Sequence, residues 1–214
     1  MVSEPSVSVG KVDDSVGHWD FVFETKASEE VSWFQAESTT SLRLLQRWAS
    51  PAGSVIDVGA GTSTVVDALV DAGWRDATVL DISDTALAKV RNRLGDRANA
   101  ATFVSADVRS WRPNRTFDAW HDRATFHFLV EPTDRDHYVA MVTQAVTPGG
   151  VVVLATFAAD GPTECSALPT SRYSPEELVR TFGPAFTLEH AEREQHATPF
   201  GTIQQFSWVV LRRL

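Results

Sequence analysis

The ten residues Ser54–Ser63, SVIDVGAGTS, decide the fold of this 214-residue chain. The run at residues 55–58 contains three β-branched side chains, which predicts a strand that is covered on both faces. Gly59 and Gly61 follow at once and permit positive φ angles and a close approach of the backbone to a ligand. We therefore expect a buried strand that turns sharply into a helix around a small molecule, with Asp57 just before the turn.

The glycine spacing of this loop departs from the dinucleotide-binding pattern G-x-G-x-x-G. The third glycine of that pattern lets the helix pack closely on the strand, and Thr64 takes its place here. The carboxylate of Asp57 would face the pyrophosphate of a dinucleotide, whereas it could balance the charge of a cationic ligand. A nicotinamide-dependent oxidoreductase is therefore an alternative that both residues disfavour.

The composition is that of a globular protein with one domain. Hydrophobic residues make up 43% of the chain and charged residues 22%, and the length is sufficient for one well-buried core. The net charge is -9, and no basic face stands out that could neutralise phosphates. We therefore expect a small-molecule or basic protein partner and no nucleic acid.

Several kinds of site and location are not expected. The single cysteine, Cys165, excludes an intramolecular disulfide, and the N-terminus lacks the pattern of a signal peptide, which predicts a cytoplasmic protein. No stretch approaches the roughly 20 apolar residues that cross a bilayer, so no membrane partner is expected. His190 and His196 lack partners at metal-ligand spacing, so no metal is expected. Both a monomer and a homodimer stay open.

Strand and helix patterns alternate along most of the chain. Residues 1–17 lack a helical period and are expected to form a flexible lead to one domain, 18–214, in which 18–50 form an N-terminal cap or lid. The alternation predicts a doubly wound α/β fold with a mostly parallel sheet, helices on both faces and an antiparallel strand near the C-terminus. The expected strands cover residues 54–58, 77–81, 102–105, 117–121, 151–156, 186–193 and 203–212. The expected helices cover residues 62–72, 84–94 and 134–147, with one more before Pro51 and another that begins after Ser174.

Acidic residues recur at the ends of the predicted strands. Asp81 ends the second strand, 20 residues after Gly61, and Asp107 follows the third. Pro148–Gly150 form a turn before the fifth strand. Together with the loop Asp57–Thr62, these residues resemble the class I S-adenosylmethionine (SAM)-dependent methyltransferase family.

The resemblance, which covers about residues 18–212, implies a Rossmann-like sheet of seven strands. It also implies that SAM is the cofactor and S-adenosylhomocysteine the product. The carboxylates suit this cofactor because each can accept hydrogen bonds from hydroxyl or amino groups. The residues implied for the methionine portion are Asp57, Gly59, Ala60 and Gly61. Those implied for the ribose are Asp81 and Ile82, and those implied for the adenine are Asp107 and Val108.

Two aromatic segments resemble a smaller group within this family. Trp120–Leu129, WHDRATFHFL, resembles the Asp-Arg-Gly/Ala segment of the thiopurine methyltransferase group. Val31–Gln35 resembles the segment with which that group covers the bound cofactor. The residues that this resemblance places at the cofactor are Trp33, Phe34, Gln35 and His121.

A second group is also similar at the same position. Protein lysine methyltransferases of the elongation-factor and citrate-synthase type carry Asp-Lys-Gly-Thr, and Asp122–Thr125 is intermediate between the two patterns, with Ala124 in place of the glycine. The expected acceptor is a sulfur, selenium or nitrogen nucleophile of a small molecule, and a protein lysine is the alternative. A catalytically silent SAM-binding module is a further alternative. The signature of adenine-base methylation is absent.

The expected catalytic residues follow the fourth strand. Methyl transfer from a sulfonium is an in-line displacement, so the protein mainly aligns the reactants and excludes water. Arg123 could favour the anion of a thiol or selenol. An amine must first lose a proton, which His121, Asp122 or His127 could take.

Each of these residues also has a structural interpretation. The structural alternatives are helix or turn caps for Asp81 and Asp107, core histidines for His121 and His127, an ion pair with Asp122 or Glu131 for Arg123, core packing for Trp33 and Phe34, and a free loop thiol for Cys165.

Overall fold

The structure, a computed structural model that describes residues 15–214, is built on a seven-stranded sheet. The strands are β1 Val55–Val58, β2 Ala77–Asp81, β3 Ala101–Ser105, β4 Phe117–Arg123, β5 Val146–Phe157, β6 Glu164–Cys165, β7 Leu168–Pro169, β8 Phe186–Ala197 and β9 Ile203–Arg213. The order across the sheet is β3-β2-β1-β4-β5-β9-β8, and β6 and β7 form a separate hairpin. The pairs among β1 to β5 are parallel, and β9 is antiparallel to both of its neighbours. The predicted mostly parallel sheet with an antiparallel C-terminal strand is confirmed.

Helices cover both faces of this sheet, as expected for a doubly wound fold. They are α1 Ser15–Thr25, α2 Thr39–Trp48, α3 Val65–Asp71, α4 Asp84–Leu94, α5 Pro132–Ala145 and α6 Pro175–Phe182. Helices α2, α3 and α4 contribute to the core on one face, and α5 and α6 to the core on the other. Within residues 15–214, no helix combines the length and apolar character that a bilayer crossing requires.

The two cores take alternate residues of each central strand. In β1, Val55 packs in the core of α2, α3 and α4, whereas Ile56 packs in the core of α5 and α6. In β4, Ala119 and Trp120 divide in the same way. Since successive side chains of a strand point to opposite faces, neighbouring residues at the ends of these strands face different helix layers.

Two predicted helix starts are confirmed by their caps. The Ser83 hydroxyl accepts a hydrogen bond from the Ala86 amide at 3.1 Å and begins α4. The Ser174 hydroxyl accepts from the Glu177 amide at 3.3 Å, while the Glu177 carboxylate accepts from the Ser174 amide at 2.7 Å. This reciprocal pair satisfies two amides that a helix start would otherwise leave without partners.

The N-terminal segment differs from the sequence-based expectation. Helix α1 begins at Ser15, so the end of the lead predicted for 1–17 is helical, and the rest of that lead lies outside the described residues. The helix buries Val22 and Phe23, yet Phe21 is 63% exposed. Because apolar side chains are present around the helix, the one-sided period that reveals most surface helices is missing.

Other boundaries shift by a few residues. The helix expected at 62–72 begins at Val65, and the helix expected at 134–147 is α5. Strand β5 begins at Val146 rather than 151, because Val146 already pairs with Phe117 before a register shift in the β4–β5 ladder. The loop expected around Cys165 contains the β6–β7 hairpin.

Candidate active site

A cavity of about 380 Å³ lies at the carboxyl ends of β1, β2 and β4, where doubly wound sheets bind their ligands. The structure brings most of the predicted site residues together around it. The predicted residues that line the cavity are Trp33, Phe34, Gln35, Asp57, Gly59, Ala60, Gly61, Asp81, Ile82, Asp107, Val108, His121 and Arg123. Asp122 is not among the lining residues.

The glycine loop after β1 has the conformation that its sequence predicts. Gly59 and Gly61 have φ angles of +61° and +53°. A Cβ atom at Gly59 would lie 1.7 Å from the Thr125 Oγ1 atom, so no other residue fits beside that side chain. The Gly61 amide donates to the Asp81 carboxylate at 2.7 Å, which ties the loop to the end of β2.

Asp57 and His121 line the cavity side by side and contact each other. Its Oδ1 atom is 2.6 Å from His121 Nδ1, and its Oδ2 atom is buried with no hydrogen-bond partner among the described residues. His121 Nε2 is 3.0 Å from the Ser41 hydroxyl of α2, a contact that no sequence motif indicates. A buried carboxylate oxygen without a donor is costly, so this site suits a cationic ligand group.

Asp81 is held by two backbone amides. Besides Gly61, the Ser83 amide donates to its carboxylate at 2.8 Å. Burial nevertheless raises the pKa of Asp81 from 3.8 to about 6, with a smaller contribution from the negative charge of Asp57. The carboxylate therefore lies in a poorly hydrated part of the cavity, where an added hydrogen-bond donor would favour its ionised form.

Asp107 forms an ion pair that the sequence analysis did not foresee. The Arg109 Nε atom lies 3.0 and 2.9 Å from the two carboxylate oxygens, and the Arg109 amide donates to Oδ1 at 2.9 Å. Both residues line the cavity. The spacing of two residues, with the arginine inside the turn at residues 108–110, is the signal that could have indicated this pair.

Arg123, at the end of β4, adds a buried positive charge to the lining of the cavity. Its Nη1 atom donates to the Trp33 carbonyl at 3.2 Å, and its guanidinium lies 4.7 Å from the centre of the Phe206 ring. Its Nε and Nη2 atoms are buried and have no hydrogen-bond partner within residues 15–214, so the alternative of an ion pair with Asp122 or Glu131 is wrong. Burial lowers the pKa of Arg123 from 12.5 to about 10, and the guanidinium stays charged at neutral pH.

Asp122 is a correction to the expected catalytic set. Its side chain faces α5, opposite to its neighbours His121 and Arg123, because β4 alternates its side chains between the two faces. The Tyr138 hydroxyl donates to Asp122 Oδ2 at 2.5 Å, and the Thr125 and Phe126 amides donate to the same carboxylate at 2.9 and 3.1 Å. Asp122 thus caps the turn after β4, and its position away from the cavity argues against a role as general base.

Two further residues lie near the cavity, and one of them, His127, keeps its structural interpretation. His127 is fully buried and accepts a long hydrogen bond from the Phe157 amide at 3.4 Å. Burial, with the nearby charge of Arg123, lowers its pKa from 6.5 to about 3, so the ring is neutral. Burial raises the pKa of Cys165 from 9.0 to about 11, so its thiol lines the cavity in the protonated form.

Aromatic side chains, most of them from the N-terminal segment, line the cavity. Trp19 of α1 contacts Trp33 and Phe128, with ring centres 5.8 and 5.3 Å apart, and also contacts Phe23. All of these rings line the cavity. Gln35 also lines the cavity, and its side-chain amide donates a hydrogen bond to the Glu194 carboxylate at 3.1 Å.

Comparisons with known proteins agree with this arrangement. The family described as "Methyltransferase domain" matches residues 55–150. Thiocyanate methyltransferase 1 of Arabidopsis thaliana is 30% identical over 141 residues, which cover 64% of this chain and 60% of that protein. The eEF1A lysine and N-terminal methyltransferase of Mus musculus is 22% identical over 143 residues, and the chain spans only 20% of that relative's length.

Solved structures share the fold. The N-methyltransferase NodS from Bradyrhizobium japonicum WM9, in complex with S-adenosylhomocysteine, superposes with a TM-score of 0.71 at 14% identity and covers 92% of this chain and 98% of that one. The glycopeptide N-methyltransferase MtfA, complexed with SAM, has a TM-score of 0.64 at 18% identity and covers 84% and 88%. At these identities, the similarity shows the fold alone.

Proposed function

We propose that this chain, which belongs to the class I SAM-dependent methyltransferases, transfers a methyl group to a small sulfur or selenium nucleophile that binds as an anion. The observation that carries this proposal is the buried guanidinium of Arg123, a residue that lines the cavity and whose Nε and Nη2 atoms lack hydrogen-bond partners within the described residues.

The cavity fits SAM as the cofactor. The unpartnered oxygen of Asp57 suits a cationic amino group, and the carboxylates of Asp81 and Asp107 can accept hydrogen bonds from hydroxyl and amino groups. The apolar side chains of Ile82 and Val108 lie beside them and suit a flat heterocycle. When bound, SAM supplies an electrophilic methyl group on a sulfonium sulfur.

Arg123 determines the charge of the acceptor in this proposal. The negative charge of Glu194 acts on Arg123 but forms no hydrogen bond with it, and each unsatisfied buried donor costs about 1–3 kcal/mol. An anionic acceptor would satisfy the Nε and Nη2 donors and would have no proton to lose before it attacks the methyl group. No general base is then required, which agrees with the placement of Asp122 outside the cavity.

The aromatic segment at 18–50 is proposed as the cap of this site. Trp19 packs against Trp33 and Phe128, and all three rings line the cavity. These rings would exclude water from an anion that is a better nucleophile when poorly hydrated. The division into an N-terminal lead, a cap and a single domain stays a prediction, as do a monomer or homodimer and a cytoplasmic location.

The thiocyanate methyltransferases among the relatives support an anionic sulfur acceptor. The lysine methyltransferases among them support the alternative, and Glu131 and Asp134, which line the cavity, could attract a cationic side chain. The charge of Arg123 opposes the approach of a lysine ammonium. We therefore favour the small anion over the protein lysine.

Transfer of tritiated methyl groups from SAM tests the proposal. The acceptor panel contains thiocyanate, aromatic thiols, selenols, heteroaromatic amines and a cell lysate as the source of protein lysines. Labelled thioethers, selenoethers or methyl thiocyanate are the expected products. Labelled protein would establish the lysine alternative, whereas binding of S-adenosylhomocysteine without any labelled product would indicate a silent SAM-binding module. A thermal shift with NAD but none with S-adenosylhomocysteine would indicate the oxidoreductase.

A further inference from the structure

We infer that Ser41 and His121 form a relay that positions the carboxylate of Asp57 toward the amino group of the cofactor. This inference rests on the proposed cofactor, and it assigns Ser41 a role that the sequence does not indicate. The three side chains come from α2, β4 and β1, so the relay joins a helix of the cap segment to the first strand.

The relay is fixed by the pairing of the two strands. Asp57 and His121 are direct partners in the parallel β1–β4 ladder, and both side chains face the layer that contains α2. This register brings Asp57 Oδ1 within 2.6 Å of His121 Nδ1, and Ser41 Oγ lies 3.0 Å from His121 Nε2. The imidazole also packs at 6.3 Å from the Trp208 ring, which limits its rotation.

The chemistry of the three groups assigns the protons. A carboxylate only accepts hydrogen bonds, so the Nδ1 atom of His121 carries the hydrogen of the Asp57 contact. In the neutral ring the Nε2 atom then accepts from the Ser41 hydroxyl. The Oδ2 atom of Asp57, which has no partner in the described part of the chain, is then available to accept a hydrogen bond from a cationic group in the cavity.

The order Ser-His-Asp is also that of hydrolytic triads, but the surroundings exclude a nucleophilic serine. Ser41 is 1% exposed and does not line the cavity, so no substrate carbon can approach its oxygen. His121 and Asp57 both line the cavity, and the Oδ2 atom of Asp57 is the oxygen of the relay that has no partner among the described residues. Ser41 therefore acts through His121 on the orientation of Asp57.

Two ligands separate this positioning role from a general effect on the fold. S-adenosylhomocysteine carries the amino-acid end that Asp57 would hold, whereas 5′-methylthioadenosine lacks it. We expect Ser41→Ala to weaken S-adenosylhomocysteine binding about 5- to 10-fold, which corresponds to the loss of one buried hydrogen bond, and to change 5′-methylthioadenosine binding less than about 2-fold. Isothermal titration calorimetry measures both dissociation constants.

Ser54→Ala is the matched control, because Ser54 is another buried serine whose hydroxyl donates a hydrogen bond, in this case to the Asp118 carboxylate before the start of β1. It should change neither dissociation constant. An equal loss for both ligands in Ser41→Ala, or no loss for either, would overturn the relay. Failure of the wild-type protein to bind S-adenosylhomocysteine would instead overturn the proposed cofactor.

A measurement on the wild-type protein covers the case in which Ser41→Ala does not fold. In ¹⁵N-labelled protein, the His121 Nδ1 resonance should show an attached proton and the Nε2 resonance should not. A hydrogen on Nε2 alone would contradict the proton assignment and the relay with it.

Discussion

The two faces of strand β4 differ although their residues are adjacent. His121 and Arg123 face the cavity, and Arg123 has donors that no described residue satisfies. Asp122, between them, faces α5 with its carboxylate bonded to Tyr138 and two backbone amides. Three adjacent residues thus differ: His121 and Arg123 face the cavity, whereas the Asp122 carboxylate is hydrogen-bonded within the protein.

The difference shows how to separate functional from structural polar residues in a buried site. Structural groups are satisfied by the protein itself, as Asp122 is, because an unsatisfied buried group costs stability. Arg123 and Asp57 line the cavity and keep buried donors or an acceptor without a partner among the described residues, so we expect these two groups to bind a ligand. The following predictions test whether the two faces of β4 differ in this way.

Replacement of the cavity-facing cation has the largest expected effect. Arg123→Met should lower kcat/KM for an anionic acceptor about 10²- to 10³-fold, because it removes the donors that hold the anion. The dissociation constant of S-adenosylhomocysteine should change less than about threefold, as measured by calorimetry. Arg180→Met, at an exposed position of α6, is the control and should leave both quantities unchanged.

Replacement of Asp122, on the other face of β4, should lower the stability of the fold. Asp122→Ala leaves the Tyr138 hydroxyl and two backbone amides without their acceptor, so we expect a loss of about 3 kcal/mol in the free energy of unfolding. Urea denaturation measures this loss. A variant with wild-type stability and no turnover would contradict the structural assignment and restore Asp122 as a general base.

The pH dependence of stability provides a milder test of the same carboxyl group. Burial raises the pKa of Asp122 from 3.8 to about 6, so the group binds more protons in the folded than in the unfolded state between these values. The stability that it contributes is therefore present in full below about pH 4 and is lost as the pH rises through about 6. The difference between wild type and Asp122→Asn should fall by at most about 3 kcal/mol from pH 4 to 7. Parallel urea-denaturation curves would show that Asp122 does not titrate in this range.

The smallest expected effect concerns the turn that follows β4. Ala124 has a φ of +73°, a left-handed conformation that costs a residue with a Cβ atom about 1–2 kcal/mol. Ala124→Gly relieves this cost, although glycine loses more conformational entropy on folding. The net stabilisation should be about 0.5–1 kcal/mol, which corresponds to a rise of about 2 °C in Tm. Ala140→Gly, in the interior of α5, should lower Tm. Calorimetry that finds the same sign for both would contradict this account of the turn.

Much of the fold and of the cofactor side of the cavity was predictable from the sequence. The acids Asp57 and Asp81 lie near the carboxyl ends of β1 and β2, and Asp107 follows β3. Parallel strands bring their carboxyl ends together, so these residues were expected to meet at one cavity. Helix α1 was missed because its apolar residues surround the helix. The contact of Ser41 with His121 depends on the packing of α2 on the sheet, which no local pattern encodes.

The position of Asp122 was predictable but was not predicted. Asp57 and His121 were both expected at the cavity, and strand alternation alone would then have placed Asp122 on the other face. Its resemblance to a family segment favoured a catalytic interpretation, although the direction of its side chain argues against that role. Side-chain alternation along a strand is therefore a necessary check on roles that a motif suggests.

A matched pair of acceptors tests the central claim most directly. Thiophenol ionises readily near neutral pH and aniline does not form an anion, although the two molecules have nearly the same shape. With tritiated SAM, we expect kcat/KM for thiophenol to exceed that for aniline at least about 100-fold in the wild-type protein, and Arg123→Met to remove most of this preference. Equal or faster methylation of aniline by the wild-type protein would contradict an anion-binding acceptor site.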